Sequence, residues 1–177
     1  SRMRTRHPLP PAAAALMLSL AITSCSTILG TDVPSRQAGG PGRVEGRVHA
    51  VQERLVEGAT MILGSHAIFV KGRRFNADCV GTVAGIYHYA GIDLTASFPR
   101  YSGNGVSRLY SFCRDAGVLH AEVRPAPGDL IFWDNTWDRN GDGLWNDPLT
   151  HVGMVVDVDP SGTIEFVHYH YRRGVVK

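Results

Sequence analysis

Two kinds of side chain in this sequence are placed to do nucleophilic chemistry. Cys79, in the stretch RRFNADCVG (residues 73–81), stands where a polar run gives way to an apolar one of helical length. Asp78 has the type and place of a helix N-cap, and Val80, Val83, Ala84, Tyr87 and Ala90 recur near one face. That spacing predicts a buried helix with Cys79 in its first turn. Free N–H groups and the macrodipole at such an end favour an anion, which lowers a thiol's pKa. The same N–H groups would stabilise the oxyanion of a tetrahedral intermediate. A thiolate nucleophile needs a base, and the base needs an orienting partner. Among eight histidines, His151 opens HVGMVV after a turn-rich segment, and His168 ends EFVH. Two antiparallel strands joined through VDPSGT would set those rings side by side, with His170, of the same face parity as His168, as the alternative partner.

A cysteine is also often a small buried hydrophobe, and that role suits Cys113, mid-helix on an apolar face. With Cys25 otherwise engaged, as argued below, a Cys79–Cys113 disulfide is the only pairing left to three cysteines.

Elements that position these groups follow from periodicity. Residues 49–64 carry Val51, Leu55, Val56, Ala59, Ile62 and Leu63 at helical offsets before Gly64, and residues 106–117 repeat the pattern with Leu109, Tyr110, Cys113 and Ala116 before Gly117. The last third switches to short β-rich runs, DLIFW, HVGMVVDV and TIEFVHYHY, parted by DRNGDG and DPSG. Helices first and strands after make the fold class α+β rather than alternating βαβ. There is no internal repeat.

At 177 residues the chain has room for one domain and an appendage. Net charge is +2 and no basic tract stands out, which argues against nucleic acid as a partner. Arg2, Arg4 and Arg6, the apolar run over residues 12–22, and Thr23-Ser24-Cys25 read as a secretory signal, too short for a membrane span. Ile22-Thr23-Ser24-Cys25 resembles a bacterial lipobox. That resemblance implies a lipoprotein of the cell envelope, held to its membrane through acyl chains on Cys25. Residues 26–48, rich in Gly, Pro, Ser and Arg, read as a flexible tether, leaving residues 49–177 as the domain.

Four ordered motifs carry a second resemblance: Asp78-Cys79-Val80-Gly81 before an apolar helix, Pro127-Gly128-Asp129-Leu130-Ile131-Phe132, Thr150-His151-Val152-Gly153-Met154-Val155-Val156, and Phe166-Val167-His168. Together they are similar to the NlpC family of papain-like cell-wall cysteine peptidases and, more distantly, to CHAP amidases. The likeness spans most of residues 49–177. It implies a papain-like fold with helices packed on a small antiparallel sheet. It further implies a monomeric hydrolase of peptidoglycan stem peptides, acting for example between D-glutamate and a diamino acid, with no cofactor in the chemistry. Carried over by position, Cys79 is the nucleophile, His151 the base and His168 the orienting residue; Asp78, Phe69 and Arg74 are the candidate substrate contacts.

The sequence departs from that family in three places. Val80 replaces a common serine, Phe69 lacks the hydroxyl of a usual tyrosine, and Gly174-Val175-Val176 is followed by little further chain, so the sheet's last element is expected to be missing or rearranged. Before His151, Asp138-Arg139-Asn140-Gly141-Asp142-Gly143 matches the start of an EF-hand loop, with the Leu144 carbonyl at position 7. Leu149 at position 12 cannot ligate, so Asp147 is the candidate to close a shortened calcium cage; a metal-free Asn/Asp/Gly turn is the competing account. Trp133, Trp137 and Trp145 crowd the same insertion, where packing or a sugar- or peptide-binding cleft are the two roles open to them. Two other functional classes also fit this chain: a catalytically idle wall-binding module of the same fold, and a calcium-dependent adhesion lipoprotein.

Overall fold

A computed structural model of the chain describes residues 16–18, 41–121 and 124–177. Along the chain run β1 (Leu16–Leu18), α1 (Pro41–Ile62), β2 (Ile68–Val70), β3 (Arg73–Phe75), α2 (Cys79–Tyr89), α3 (Gly105–Asp115), β4 (Leu119–His120), β5 (Leu130–Trp133), β6 (His151–Val158), β7 (Ile164–His170) and β8 (Gly174–Val176). The class is α+β, with antiparallel sheets. Cys25, the expected lipidation site, lies outside the described residues, and β1 falls inside the apolar run read as a targeting segment.

Helix α1 begins at Pro41, ahead of the His49 start expected from periodicity, so its first turns take up the end of the segment read as tether. Proline at a first helical position lacks only an N–H that has no intrahelical partner there, so the Gly/Pro-rich composition did not forbid a helix. Its C-terminal end behaves as expected: Gly64 takes φ +76 and its N–H bonds the Val175 carbonyl at 2.8 Å.

Strands β2 and β3 form a hairpin whose two-residue turn, Lys71-Gly72, has both φ values positive (45 and 78). Such a turn matches the natural strand twist. The larger sheet has the order β4-β1-β5-β6-β7-β8. Met154↔Val167 and Val155↔Phe166 register β6 against β7, and Trp133↔His151 registers β5 against β6. A final strand is therefore present: β8 pairs with β7, His168 opposite Val176.

Strand alternation sends Leu130, Phe132, Val152, Met154 and Val167 into one core with Leu55 and Ala59 of α1, Val83, Ile86 and Tyr87 of α2, and Leu109 and Cys113 of α3. Helix α2 is apolar on most of its circumference, Gly81 through Tyr87 all being buried, because it runs between the sheet and the hairpin. Tyr87, wholly buried, donates its hydroxyl hydrogen to the Gly128 carbonyl, tying the middle of α2 to the turn that leads into β5.

Candidate active site

The head of α2 is built as the sequence predicts. Asp78 has extended backbone, and its carboxylate accepts the Gly81 N–H at 2.6 Å, so Cys79 is the first helical residue. Gly81 is there for a steric reason, since a Cβ at that position would lie 1.9 Å from the Asn76 carbonyl oxygen. Only glycine lets the approach segment 76–78 double back this closely over the first turn. Val80, noted above as a departure from the resembled family, packs against the start of α3: a Cβ on Gly105 would meet its methyl at 3.1 Å.

His151, the first residue of β6, and His168 on β7 come together, with Nε2 of His151 2.9 Å from Nδ1 of His168 and the rings edge to face. The contact thus falls on His168 rather than on His170. His170 instead stacks on Tyr171 and accepts the Arg172 N–H. Around the pair stand two rings that were not singled out as site residues: Trp133, 5.7 Å from His151, and Phe166, 5.4 Å from His168, which also lie 5.0 Å from each other. Gly153 makes this box possible, because a Cβ there would press on both Phe166 (3.2 Å) and Trp133 (3.3 Å). The signal for Trp133 was register, which pairs it directly with His151 across β5 and β6.

Cys79 reaches this box from the helix side, its thiol beside the Val152 backbone N–H, one residue from His151. Among the described residues no hydrogen bond joins the thiol to the His151 ring. Catalytic hydrogen bonds often close only when substrate is bound. Cys79 and Cys113 are both free thiols, so the disulfide alternative is not formed.

Electrostatics correct one expectation. The N–H groups of Val152, Val80 and Cys79 do favour the thiolate, but burial, joined by the Asp78 carboxylate, outweighs them and pushes the Cys79 thiol up. His151 is lowered to about 4, first by burial and then by His168, while burial and His170 lower His168. At neutral pH the site therefore rests as a neutral thiol beside two neutral imidazoles. Nothing in local sequence announces this, since desolvation depends on what the fold brings over the site.

Of the proposed substrate contacts, Asp78 is the helix cap and Phe69 is exposed on the hairpin opposite Arg74. Arg74 lines a pocket of about 340 Å³ with His66, Phe75, Asn76 and Ala77, in the segment that runs straight into Asp78 and Cys79. Phe69 is not part of that lining.

The insertion before His151 is tied down by its own hydrogen bonds. Asp138 accepts the N–H groups of Gly141 and Gly143 (2.7 and 2.8 Å), Asn140 that of Asp142, and Asp142 that of Leu144 as well as the side-chain amides of Asn140 and Asn146. Asp147 does not join them. It is buried, accepting the Arg139 N–H at 2.8 Å and facing the Arg139 guanidinium at 3.7 Å. Among the described residues no group of three or more His, Cys, Asp or Glu side chains is arranged to hold a metal ion. The insertion's second end is anchored at Thr150, whose hydroxyl accepts the Thr136 N–H at 2.9 Å and whose own N–H bonds the Trp133 carbonyl. His151 is thus delivered from a pinned loop.

Comparison with protein-family models, with curated proteins and with solved structures returned no match. Among the described residues no helix is long and apolar enough to cross a membrane.

Proposed function

We propose that this chain is a papain-like cysteine hydrolase that cleaves amide bonds in peptidoglycan stem peptides from an envelope lipoprotein. One observation carries the proposal: an imidazole pair at 2.9 Å, His151 and His168, on strands that bring the Val152 backbone, one residue from His151, to the thiol of a cysteine at the first position of a capped helix.

In the tautomer where Nε2–H of His151 donates to Nδ1 of His168, Nδ1 of His151 is left with its lone pair. That nitrogen takes the Cys79 thiol proton as sulfur attacks the scissile carbonyl. The new C–S bond places charge on the carbonyl oxygen, which backbone N–H groups at the head of α2 stabilise. Collapse breaks the C–N bond, and the proton on His151 passes to the leaving amine. Water, deprotonated by the same imidazole, then hydrolyses the thioester and returns the thiol. Because the thiol rests protonated, His151 acts as a general base at the moment of attack rather than as the cation of a standing ion pair. Arg74, which lines a pocket with His66, would meet a carboxylate of an acidic stem peptide. A CHAP-like amidase would use the same residues on a different bond.

A second reading has its own support. The raised thiol, and the lack of a Cys79–His151 hydrogen bond among the described residues, fit a wall-binding module that keeps the fold without the chemistry. Digestion of purified stem-peptide muropeptides, read by mass spectrometry beside a Cys79→Ala control, separates them. Cleavage that vanishes in the control supports the hydrolase and names its bond. An intact substrate that the folded protein nonetheless retains assigns the binding module.

A further inference from the structure

The insertion that delivers His151 carries a surface that neither the chemistry above nor the core uses. Trp137, Leu144 and Trp145 are 53%, 59% and 71% exposed, so the packing role open to these tryptophans does not describe the two at the turn. They flank the acidic turn at its two ends, Trp137 next to Asp138, Trp145 next to Asn146. The loop that carries them is held by side-chain hydrogen bonds. Trp137 donates its indole N–H to the Thr150 carbonyl at 3.4 Å, and Asn146, the residue after Trp145, bonds Asp142 at 3.0 Å. Apolar rings kept open to solvent on a pinned loop mark a ligand surface rather than a loosely packed one.

Chemistry on the same loop selects the ligand. Segment 134–149 exposes Asp134, Asp138 and Asp142, while its one arginine, Arg139, is faced by the buried Asp147. Such a surface repels an anionic phospholipid headgroup and gives an indole no cationic help in settling on a membrane. A neutral sugar answers it better: the flat apolar face of a hexose ring covers an indole, while its hydroxyls find carboxylate and amide acceptors at the rim.

We infer that Trp137 and Trp145 form a platform for the glycan strand that bears the stem peptide, so that the insertion holds the sugar while Cys79 addresses the peptide. The choice of a wall glycan rests on the hydrolase reading above; the platform itself rests on two exposed indoles on a pinned loop, that of Trp137 tied to the Thr150 carbonyl next to His151.

The test uses the full chain carrying Cys79→Ala, titrated with a tetramer of N-acetylglucosamine and followed by tryptophan emission. A saturable change is expected, with affinity lowered roughly tenfold by Trp145→Ala and largely kept by Trp145→Phe, which preserves a flat ring. Among the described residues the Trp145 side chain makes no hydrogen bond that its loss would break, and a melting curve matching that of the parent checks that the variant is folded. No emission change, equal affinity in Trp145→Ala, or a response to anionic phospholipid vesicles in place of the sugar overturns the inference. Muropeptide cleavage by the unsubstituted chain without sugar binding overturns this inference alone, whereas sugar binding without cleavage overturns the hydrolase and leaves the platform.

Discussion

Replacing His168 by alanine separates an orienting imidazole from a bystander. His168 does two things to His151: it accepts or shares a proton at 2.9 Å, and it helps hold the His151 ring neutral down to about 4. Loss of one neutral hydrogen bond is worth about 0.5–1.5 kcal/mol, which corresponds to roughly a 2- to 10-fold fall in kcat/KM at pH 7. The pH profile moves as well, and its sign is fixed. A general base works only unprotonated, so with His151 in that proposed role activity falls as pH drops through its pKa. Removing His168 removes one cause of the depression and leaves burial, so the acid limb shifts upward from about 4 toward the ordinary histidine value of 6.5. Initial rates on a stem-peptide substrate between pH 3.5 and 8 read both effects together, and His168→Asn, which keeps an acceptor, is expected to recover most of the rate. An unchanged rate with an unmoved limb, or a limb that moves to lower pH, refutes the reasoning.

The thiol's reactivity with iodoacetamide should climb steadily through and beyond pH 9, because burial holds Cys79 protonated; a plateau already reached near neutrality would show a standing thiolate–imidazolium pair instead. Cys113, buried and pushed up to about 12, should remain unlabelled in the native protein throughout that range. Asp78→Ala removes the acceptor of the Gly81 N–H and should cost about 1 kcal/mol in urea unfolding, with an unchanged denaturant slope. Chelation should leave both melting temperature and hydrolysis unaltered, since Asp147 is engaged by Arg139 and the Asp138–Asp142 turn is closed by its own N–H groups. A clear fall in melting temperature with chelator, restored by calcium, would place an ion in residues 138–147.

What could be read from sequence was what local chemistry decides. Asp78 and Cys79 at the head of α2 followed from a cap residue and a helical period, both of which act within a few residues. The approach of His151 to His168 followed from a short turn and a period of two, which fix face parity. Parity alone could not choose between His168 and His170, which share a face; the side-chain contact that distinguishes them is seen only in the folded chain. The protonation state of Cys79 was misread for a related reason: helix-end N–H groups are visible in sequence, while the burial that overrides them is set by the tertiary fold. Asp147 was named a calcium ligand by loop position, which does not show that the Arg139 guanidinium, also in the loop, faces its carboxylate. The early start of α1 was hidden by glycine and proline, whose composition resembles a tether even where a proline suits a helix's first turn.

Covalent catalysis through Cys79 is the central claim, and its intermediate has a mass. Acid-quenching a muropeptide digest in its first turnovers and mapping the protein by mass spectrometry should find the acyl half of the substrate on the peptide containing Cys79, as a thioester released by hydroxylamine and absent in Cys79→Ala. Product accumulating without that adduct, or continuing to form in Cys79→Ala, would contradict the account.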